Sequence, residues 1–78
     1  MILHNDDYTP MEFVVFVLQE VFNPPFARAE RIMLSVHKEG MGVAGIFRLE
    51  IAETKAYETA EFAKENQYPL KISVEEVA

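Results

Sequence analysis

Several features that help to stabilise or locate proteins are missing from this sequence of 78 residues. It contains no cysteine, so neither disulfide bonds nor thiolate metal sites can support the fold. Its longest apolar run, residues 13–18, is far too short to cross a bilayer. No basic segment precedes an apolar one, as an export signal would require. We therefore expect a cytoplasmic protein that has no membrane partner.

Positive charge is also scarce. Lys and Arg number 7 against 13 Asp and Glu, which gives a formal net charge of −6. Such a surface repels phosphate backbones, so we do not expect nucleic acid as a partner. The sequence also has no nucleophile motif, glycine-rich phosphate loop or HExxH spacing. We therefore expect neither an enzyme nor a cofactor.

The residues that are present suffice for one globular domain. Apolar residues make up 50% of the sequence, which is typical of a folded chain rather than a disordered one. No linker, repeat or low-complexity stretch divides it, so we expect a single domain over residues 1–78. A chain of this length is near the size at which one core is only marginally stable.

The first half of the chain predicts a strand followed by two helices. Residues 1–4 form a short apolar segment, as expected of an opening strand, and a polar turn follows it. Thr9 and Pro10 are typical of an N-cap and a first helical residue, and the apolar residues after them have the 3.6-residue period of a helix. Two consecutive prolines end this helix. A second helix is predicted over residues 26–39 and stops at Gly40.

The second half predicts a strand, a helix and a final strand. Met41 and Gly42 are predicted to form a turn, residues 43–51 a strand and residues 52–66 a helix. The inner stripe of this helix is expected to consist of small residues, Ala52, Ala56, Ala60 and Ala63. Leu70, Ile72 and Val74 alternate with polar residues, as in a half-buried strand. The order β-α-α-β-α-β predicts an α+β fold with a small, mostly antiparallel three-stranded sheet and three helices on one face.

Three hydrogen-bond acceptors stand out near the helices. Asn5 offers an amide oxygen, Asp7 a carboxylate, and neutral His37 a ring nitrogen, a set that suits an ammonium ion. Apolar residues that could line a hole beside them are Met11, Val14, Met33, Val36 and Leu70. Plainer interpretations stay open, because a helix start favours solvated acids such as Asp6 and Asp7. The histidine could likewise be structural and the apolar residues ordinary core.

Four segments of the sequence resemble the ClpS family of Clp protease adaptors. Residues 5–14, NDDYTPMEFV, are similar to the signature segment of the family, and residues 33–40, MLSVHKEG, to its second motif. Residues 52–55, AETK, resemble a third motif, and residues 68–70, YPL, the ending of the family. The similarity covers nearly the whole chain with its spacing intact, so the chain is identified as a member of this family.

The resemblance implies a role for each matching residue. Asn5, Asp7 and His37 fall on the positions that hold the α-amino group of a substrate. Glu50 and Lys55 fall in the surface that docks on the N-terminal domain of a Clp unfoldase of the ClpA or ClpC type. The positions around the side-chain pocket of the family fall on Thr9, Met11, Val14, Met33, Val36 and Leu70.

The resemblance also implies a function. Adaptors of this family are not enzymes; they bind the N-terminal peptide of a substrate that begins with Leu, Phe, Tyr or Trp, the N-degrons of the bacterial N-end rule. They then deliver the substrate to a Clp unfoldase-protease for degradation. Physically, charge-assisted hydrogen bonds would recognise the free amine, and burial of a large apolar side chain would add about 1.5–3 kcal/mol.

The sequence departs from the family pattern at several positions. His4 stands where an aliphatic residue is expected, and Lys71 replaces an aliphatic residue in the last strand. Phe16 stands where the family usually carries a charged residue, so we expect an exposed aromatic side chain there. Members normally have a flexible N-terminal extension, whereas this sequence starts almost at the motif, so either the sequence given is trimmed or the delivery step is altered. We therefore expect this chain to bind N-terminal peptides but to deliver whole proteins poorly.

Two other functions stand as alternatives. His4, Asp7 and His37 could form a zinc site, and an Asp–His pair can act as a general acid and base, although no catalytic motif accompanies them. The predicted topology is also similar to that of the C-terminal domain of the ribosomal stalk protein. That likeness would imply a protein-interaction domain without N-degron binding, and such a domain has no reason to possess the three acceptors.

Overall fold

The computed structural model describes residues 1–76. Within them the chain forms three strands, three α-helices and a π-helical segment, and the predicted α+β class and element order are confirmed. The elements are β1 (Ile2–His4), α1 (Met11–Val17), the π-helical segment (Leu18–Phe22), α2 (Phe26–Glu39), β2 (Met41–Val43), α3 (Leu49–Glu65) and β3 (Lys71–Ser73). No helix in this part of the chain is long and apolar enough to cross a membrane.

Strand β1 occupies the centre of the sheet, which has the order β2-β1-β3 with both pairs antiparallel. Leu3 lies opposite Gly42 on one side and Ile72 on the other, and its side chain is fully buried. His4, which replaces the expected aliphatic residue, places its Nε2 2.8 Å from the Ser73 hydroxyl oxygen. The polar residue in β1 is therefore matched by a polar partner in β3.

The second strand lies earlier in the chain than the sequence predicted. Residues 43–51 do not form a strand: β2 ends at Val43, and the first turn of α3 begins at Leu49. The strand pairs with β1 through Met41–Val43, and Gly42 there lies close to α2: a Cβ at Gly42 would lie 2.9 Å from Val36 Cγ2 and 3.0 Å from the Ile32 carbonyl oxygen. A glycine is needed within this strand, although it suggests a turn in the sequence alone.

The start of α1 also differs from the prediction. Pro10, not Thr9, occupies the N-cap position, and the Pro10 carbonyl accepts hydrogen bonds from the backbone N–H groups of Phe13 and Val14. Thr9 does not cap the helix, because its hydroxyl donates to Asp6 instead, at 2.7 Å. Thr9, the predicted cap of α1, therefore belongs to the turn that precedes the helix.

The buried face of α3 differs from the predicted alanine stripe at one position, where Thr59 is buried in place of Ala60. Ala52 and Ala63 are buried as expected, but Ala60 is exposed and Thr59 is fully buried. The Thr59 hydroxyl donates to the Lys55 carbonyl at 2.9 Å, which satisfies it inside the helix. Helices α1, α2 and α3 share with the sheet one core, formed by Leu3, Phe13, Val14, Val17, Leu18, Val21, Ala29, Val36, Ala44, Ala63 and Leu70.

Candidate functional site

A cavity of about 310 Å³ lies between the turn after β1, the start of α1 and the last turns of α2. This volume is at the lower end of the range for small-molecule sites. The structure brings to it all three predicted α-amino ligands and all predicted pocket residues except Leu70. The cavity is lined by Asn5, Asp6, Asp7, Thr9, Pro10, Met11, Val14, Met33, Val36 and His37.

Asp6 organises the turn that forms the polar wall of this cavity. One carboxylate oxygen accepts the backbone N–H groups of Tyr8 and Thr9, both at 2.8 Å, and the other accepts the Thr9 hydroxyl at 2.7 Å. Partial burial raises the pKa of Asp6, but these three hydrogen bonds outweigh it, so the pKa lies below the usual aspartate value. Asp6 is therefore a structural carboxylate, and its neighbour Asp7 is left to face solvent.

The turn is fixed to the end of α2 through the backbone. The N–H of Asn5 donates to the carbonyl of Gly40 at 2.9 Å. Gly40 ends α2 with φ +88, a left-handed conformation that side chains with a Cβ adopt only with strain. The amide of Asn5 and the ring of His37, one turn before Gly40, consequently belong to the same corner of the molecule.

The three acceptors of the polar wall are available for a ligand. Within residues 1–76, no protein group donates a hydrogen bond to the Asn5 side chain, the Asp7 carboxylate or the His37 ring. All three residues are exposed, and the lining of the cavity contains no Lys or Arg. The corner can accept hydrogen bonds from a cation with several donors.

The apolar wall is rigid at its base and adaptable at its rim. Val14 and Val36 are buried in the core, and the contact with Gly42 fixes Val36 against β2. Met33 is half-buried, and Met11, in the first turn of α1, is 46% exposed. Because methionine has three rotatable bonds, this wall can close around an apolar group that enters from solvent.

Two predicted pocket residues contribute differently from the prediction. Leu70 does not line the cavity: it is buried in the core and borders a separate depression between α3 and β3. The reason is that β3 is an edge strand beside β1 and contacts α3, whereas the cavity lies at α1 and α2. Thr9 does line the cavity, but its hydroxyl is already used in the turn.

Glu50 and Lys55 lie apart on α3 and in different surroundings. Glu50 is exposed in the first turn, where its carboxylate forms a loose pair with Arg48 at 3.9 Å. Lys55 is half-buried: its ammonium donates to the Val21 carbonyl at 2.7 Å and lies 5.5 and 5.1 Å from the ring centroids of Phe22 and Phe47. Its charge therefore joins α3 to the π-helical segment and to the loop before α3.

The sequence prediction missed two residues of the site. Asp6 had been considered only as a solvated acid, and Pro10 only as a helix start, yet both line the cavity. The spacing of Asp6 and Thr9 could have indicated the turn, because aspartate commonly accepts hydrogen bonds from residues two and three positions later.

The zinc site considered from the sequence is not formed. Among residues 1–76, no group of His, Asp and Glu side chains is arranged so that it could hold a metal ion, and His4, Asp7 and His37 therefore do not form such a group.

Sequence comparisons with known proteins point to one family. Residues 1–73 match the family model described as ATP-dependent Clp protease adaptor protein ClpS. The ClpS protein of Bdellovibrio bacteriovorus is 58% identical over 78 residues, which are 100% of this chain and 68% of that protein. The ClpS protein of Desulfatibacillum aliphaticivorans is 55% identical over 75 residues, 96% of this chain and 72% of that one.

A solved structure extends the comparison to three dimensions. Agrobacterium tumefaciens ClpS2 bound to L-phenylalaninamide is 42% identical and superimposes with a TM-score of 0.88, covering 92% of this chain and 87% of that one. The family match spans both walls of the cavity, and the relatives are similar over nearly the whole chain. The chain belongs to the ClpS family of ATP-dependent Clp protease adaptor proteins.

Proposed function

We propose that this chain binds the free N-terminal residue of other proteins in the cavity between α1 and α2 and delivers those proteins to a Clp unfoldase. The α-amino group donates to Asn5, Asp7 and His37, and the first side chain rests against the apolar wall. The observation that carries this proposal is the cavity itself. It combines three unused acceptors, no cationic lining residue and an adjoining apolar wall.

The chemistry of the ligand follows from the two walls. An α-ammonium group is a cation with three donors, which matches one carboxylate and two neutral acceptors. The apolar wall favours Leu, Phe, Tyr and Trp as first residues, because burial of such a side chain contributes about 1.5–3 kcal/mol. The similar ClpS2 is bound to L-phenylalaninamide, a molecule with a free α-amino group and a benzyl side chain, which supports this choice.

The residue roles proposed for the pocket take the geometry into account. Met11, Val14, Met33 and Val36 contact the first side chain directly. Thr9 acts through the turn that it forms with Asp6. Leu70 is not among these contacts, since it is part of the core and lies outside the lining of the cavity.

For delivery, we propose that the start of α3 contacts the N-terminal domain of an unfoldase of the ClpA or ClpC type. Glu50 is suited to direct contact because its carboxylate is exposed. Lys55 is suited to shaping this surface, because its ammonium is already bound to Val21 and lies over two rings. No catalytic step is assigned to the chain, and the cytoplasmic location expected from the sequence stays a prediction.

A peptide series that differs only in its first residue tests the binding step. Peptides beginning with Phe or Leu should bind at least about tenfold more tightly than those beginning with Ala or Glu, which corresponds to the burial energy of a large side chain. The Glu30→Gln variant, on the exposed side of α2, serves as a matched control and should behave as the parent does. Equal affinity for every first residue would leave only a protein-interaction domain without N-degron recognition.

A degradation assay tests the delivery step separately. A reporter that begins with Phe should be degraded faster by a Clp protease with this chain than without it; the poor delivery expected from the sequence would reduce this acceleration but not abolish it. Glu50→Arg should slow that degradation but leave peptide binding unchanged, because Glu50 lies away from the cavity. If Glu50→Arg does not affect degradation, the docking surface lies elsewhere on the molecule.

A further inference from the structure

Phenylalanines of two helices meet at the surface on the side of α1 that faces α3. The rings of Phe16 and Phe62 pack edge to face, with centroids 5.6 Å apart at 89°. Phe13 lies 6.1 Å from Phe16 and 4.7 Å from Tyr68, so four rings form one continuous cluster. Phe16 is nevertheless 44% exposed. A groove of about 500 Å³ runs along these rings, and we refer to it as the aromatic groove.

The charged residues at the edges of the aromatic groove are all acidic. Glu12 and Glu65 line it, and its lining includes no Lys or Arg. Glu12 precedes Phe16 by one turn of α1, and Glu58 precedes Phe62 by one turn of α3, a spacing that places each glutamate beside its ring. An exposed aromatic surface therefore lies between carboxylates contributed by two helices.

This groove is separate from the cavity that holds the three acceptors. Of the residues that line the cavity, only Pro10 also lines the groove, and neither Phe16 nor Phe62 reaches the cavity. Phe16 is 44% exposed and is not one of the buried residues that form the core. The groove thus has the features of a second binding surface.

Charge decides which occupant fits. A second copy of this chain carries the same net charge of −6 and would bring glutamates against glutamates, and anionic lipid would be repelled in the same way. A Lys or Arg side chain, in contrast, gains from the face of an aromatic ring and from a nearby carboxylate. We propose that the aromatic groove binds a cationic, partly apolar segment of another polypeptide, with a basic side chain over Phe16 and Phe62 and its charge near Glu12 and Glu65.

The test uses a synthetic peptide of alternating Lys, Arg and Leu, acetylated at its N-terminus and amidated at its C-terminus. Acetylation removes the free amine, so the peptide cannot use the cavity proposed for N-terminal residues. In the reference peptide, Glu replaces every Lys and Arg. Fluorescence anisotropy with the complete chain should show binding of the cationic peptide and at least about tenfold weaker binding of the acidic one, together with a loss of affinity at high salt.

Variants of the groove locate the binding. Phe16→Leu keeps an apolar side chain but removes the ring, and should weaken binding about three- to tenfold because the cation–π contact is lost. The double variant Glu12→Gln/Glu65→Gln leaves the aromatic packing intact and should weaken binding to a similar extent and reduce its salt dependence. Phe26→Ala, at an exposed phenylalanine of α2, is the control and should bind as the parent does.

Several results would overturn the proposal. Binding that neither Phe16→Leu nor the double glutamine variant changes would indicate general attraction to an acidic protein. Loss of binding in Asp7→Asn, with the groove variants unaffected, would place the peptide in the cavity instead. Sedimentation that shows a dimer of the parent and a monomer of Phe16→Leu would identify the occupant as a second copy of this chain.

Discussion

The cavity between α1 and α2 and the start of α3 both carry charged residues that match the ClpS pattern, but the fold uses the charges differently. In the cavity, Asp6 takes the hydrogen bonds of the turn, which leaves Asp7 unused. On α3, Lys55 is bound internally, whereas Glu50 is exposed. In each region one charged residue stabilises the structure and its counterpart is available to a partner. Matching a family position therefore does not by itself distinguish supporting residues from contacting ones.

The largest effect is expected when the two neighbouring aspartates, Asp6 and Asp7, are replaced one at a time. Asp7→Asn should weaken binding of a Phe-initiated peptide by about 1.5–3 kcal/mol, the value of a hydrogen bond to a charged group, and leave the melting temperature unchanged. Asp6→Asn should instead lower the free energy of unfolding, because the amide nitrogen cannot accept the Thr9 hydroxyl. Titration calorimetry and thermal unfolding of both variants test this contrast, and a reversed pattern would contradict the assigned roles.

The pH dependence of the Asp6 effect has a definite sign. The pKa of Asp6 is lower in the folded state than its usual value, so its carboxylate contributes stability above that usual value. This contribution is lost as the pH falls through the folded-state pKa. The stability difference between the parent and Asp6→Asn should therefore shrink in acid. A difference that grows as the pH is lowered would show that the turn does not favour the ionised carboxylate.

At the start of α3, the variants Lys55→Met and Glu50→Gln compare how much each charged residue contributes to stability. Methionine can still pack on Phe22 and Phe47, but the Val21 carbonyl loses its donor, which should cost about 1–2 kcal/mol in unfolding free energy. Glu50→Gln should change stability by less than about 0.5 kcal/mol, because its pair with Arg48 is exposed. Urea unfolding of both variants measures this. Equal stabilities would mean that the internal contact of Lys55 contributes nothing.

At the rim of the cavity, Met11 is expected to limit which first residues fit. β-Branched Ile and Val should press on this side chain, and overpacking costs about 1–3 kcal/mol. Met11→Ala should therefore improve binding of peptides that begin with Ile or Val while lowering affinity for Leu only modestly. A series of peptides that differ in the first residue tests this. A uniform loss for every peptide would show that Met11 has no role in selection.

The smallest effect concerns the ring of His37. A ring nitrogen of His37 should accept one hydrogen bond from the ammonium group, and the loss of one neutral hydrogen bond costs roughly 0.5–1.5 kcal/mol. His37→Ala should therefore weaken binding of a Phe-initiated peptide by about this amount, as measured by titration calorimetry. Unaltered affinity would assign the acceptor to another residue.

Much of the fold could be predicted because local signals coincide with tertiary contacts. Helix α2 has the predicted bounds, since prolines precede it and a glycine with positive φ ends it. Strand β2 was misplaced because Gly42 suggests a turn, and only the nearby Val36 and Ile32 reveal why a glycine stands within a strand. The buried face of α3 shifted to Thr59 for a similar reason, because its hydroxyl is satisfied by the Lys55 carbonyl of the same helix.

The candidate site was predictable to the extent that its residues are close in sequence. The motif of residues 5–14 and the position of His37 predicted most of the lining of the cavity. Leu70 lies outside this lining, and its place depends on how β3 and α3 pack, which involves long-range contacts. The internal contact of Lys55 joins residues 34 positions apart, and no local pattern indicates it.

The most direct test of the account compares one peptide that begins with Phe in two forms, with a free and with an acetylated N-terminus. Acetylation removes the positive charge and two hydrogen-bond donors but keeps the benzyl side chain. We expect at least about tenfold weaker binding of the acetylated form, as the loss of a charge-assisted hydrogen bond implies, and no further loss for that form in Asp7→Asn. Equal binding of the two forms would contradict recognition of the α-amino group.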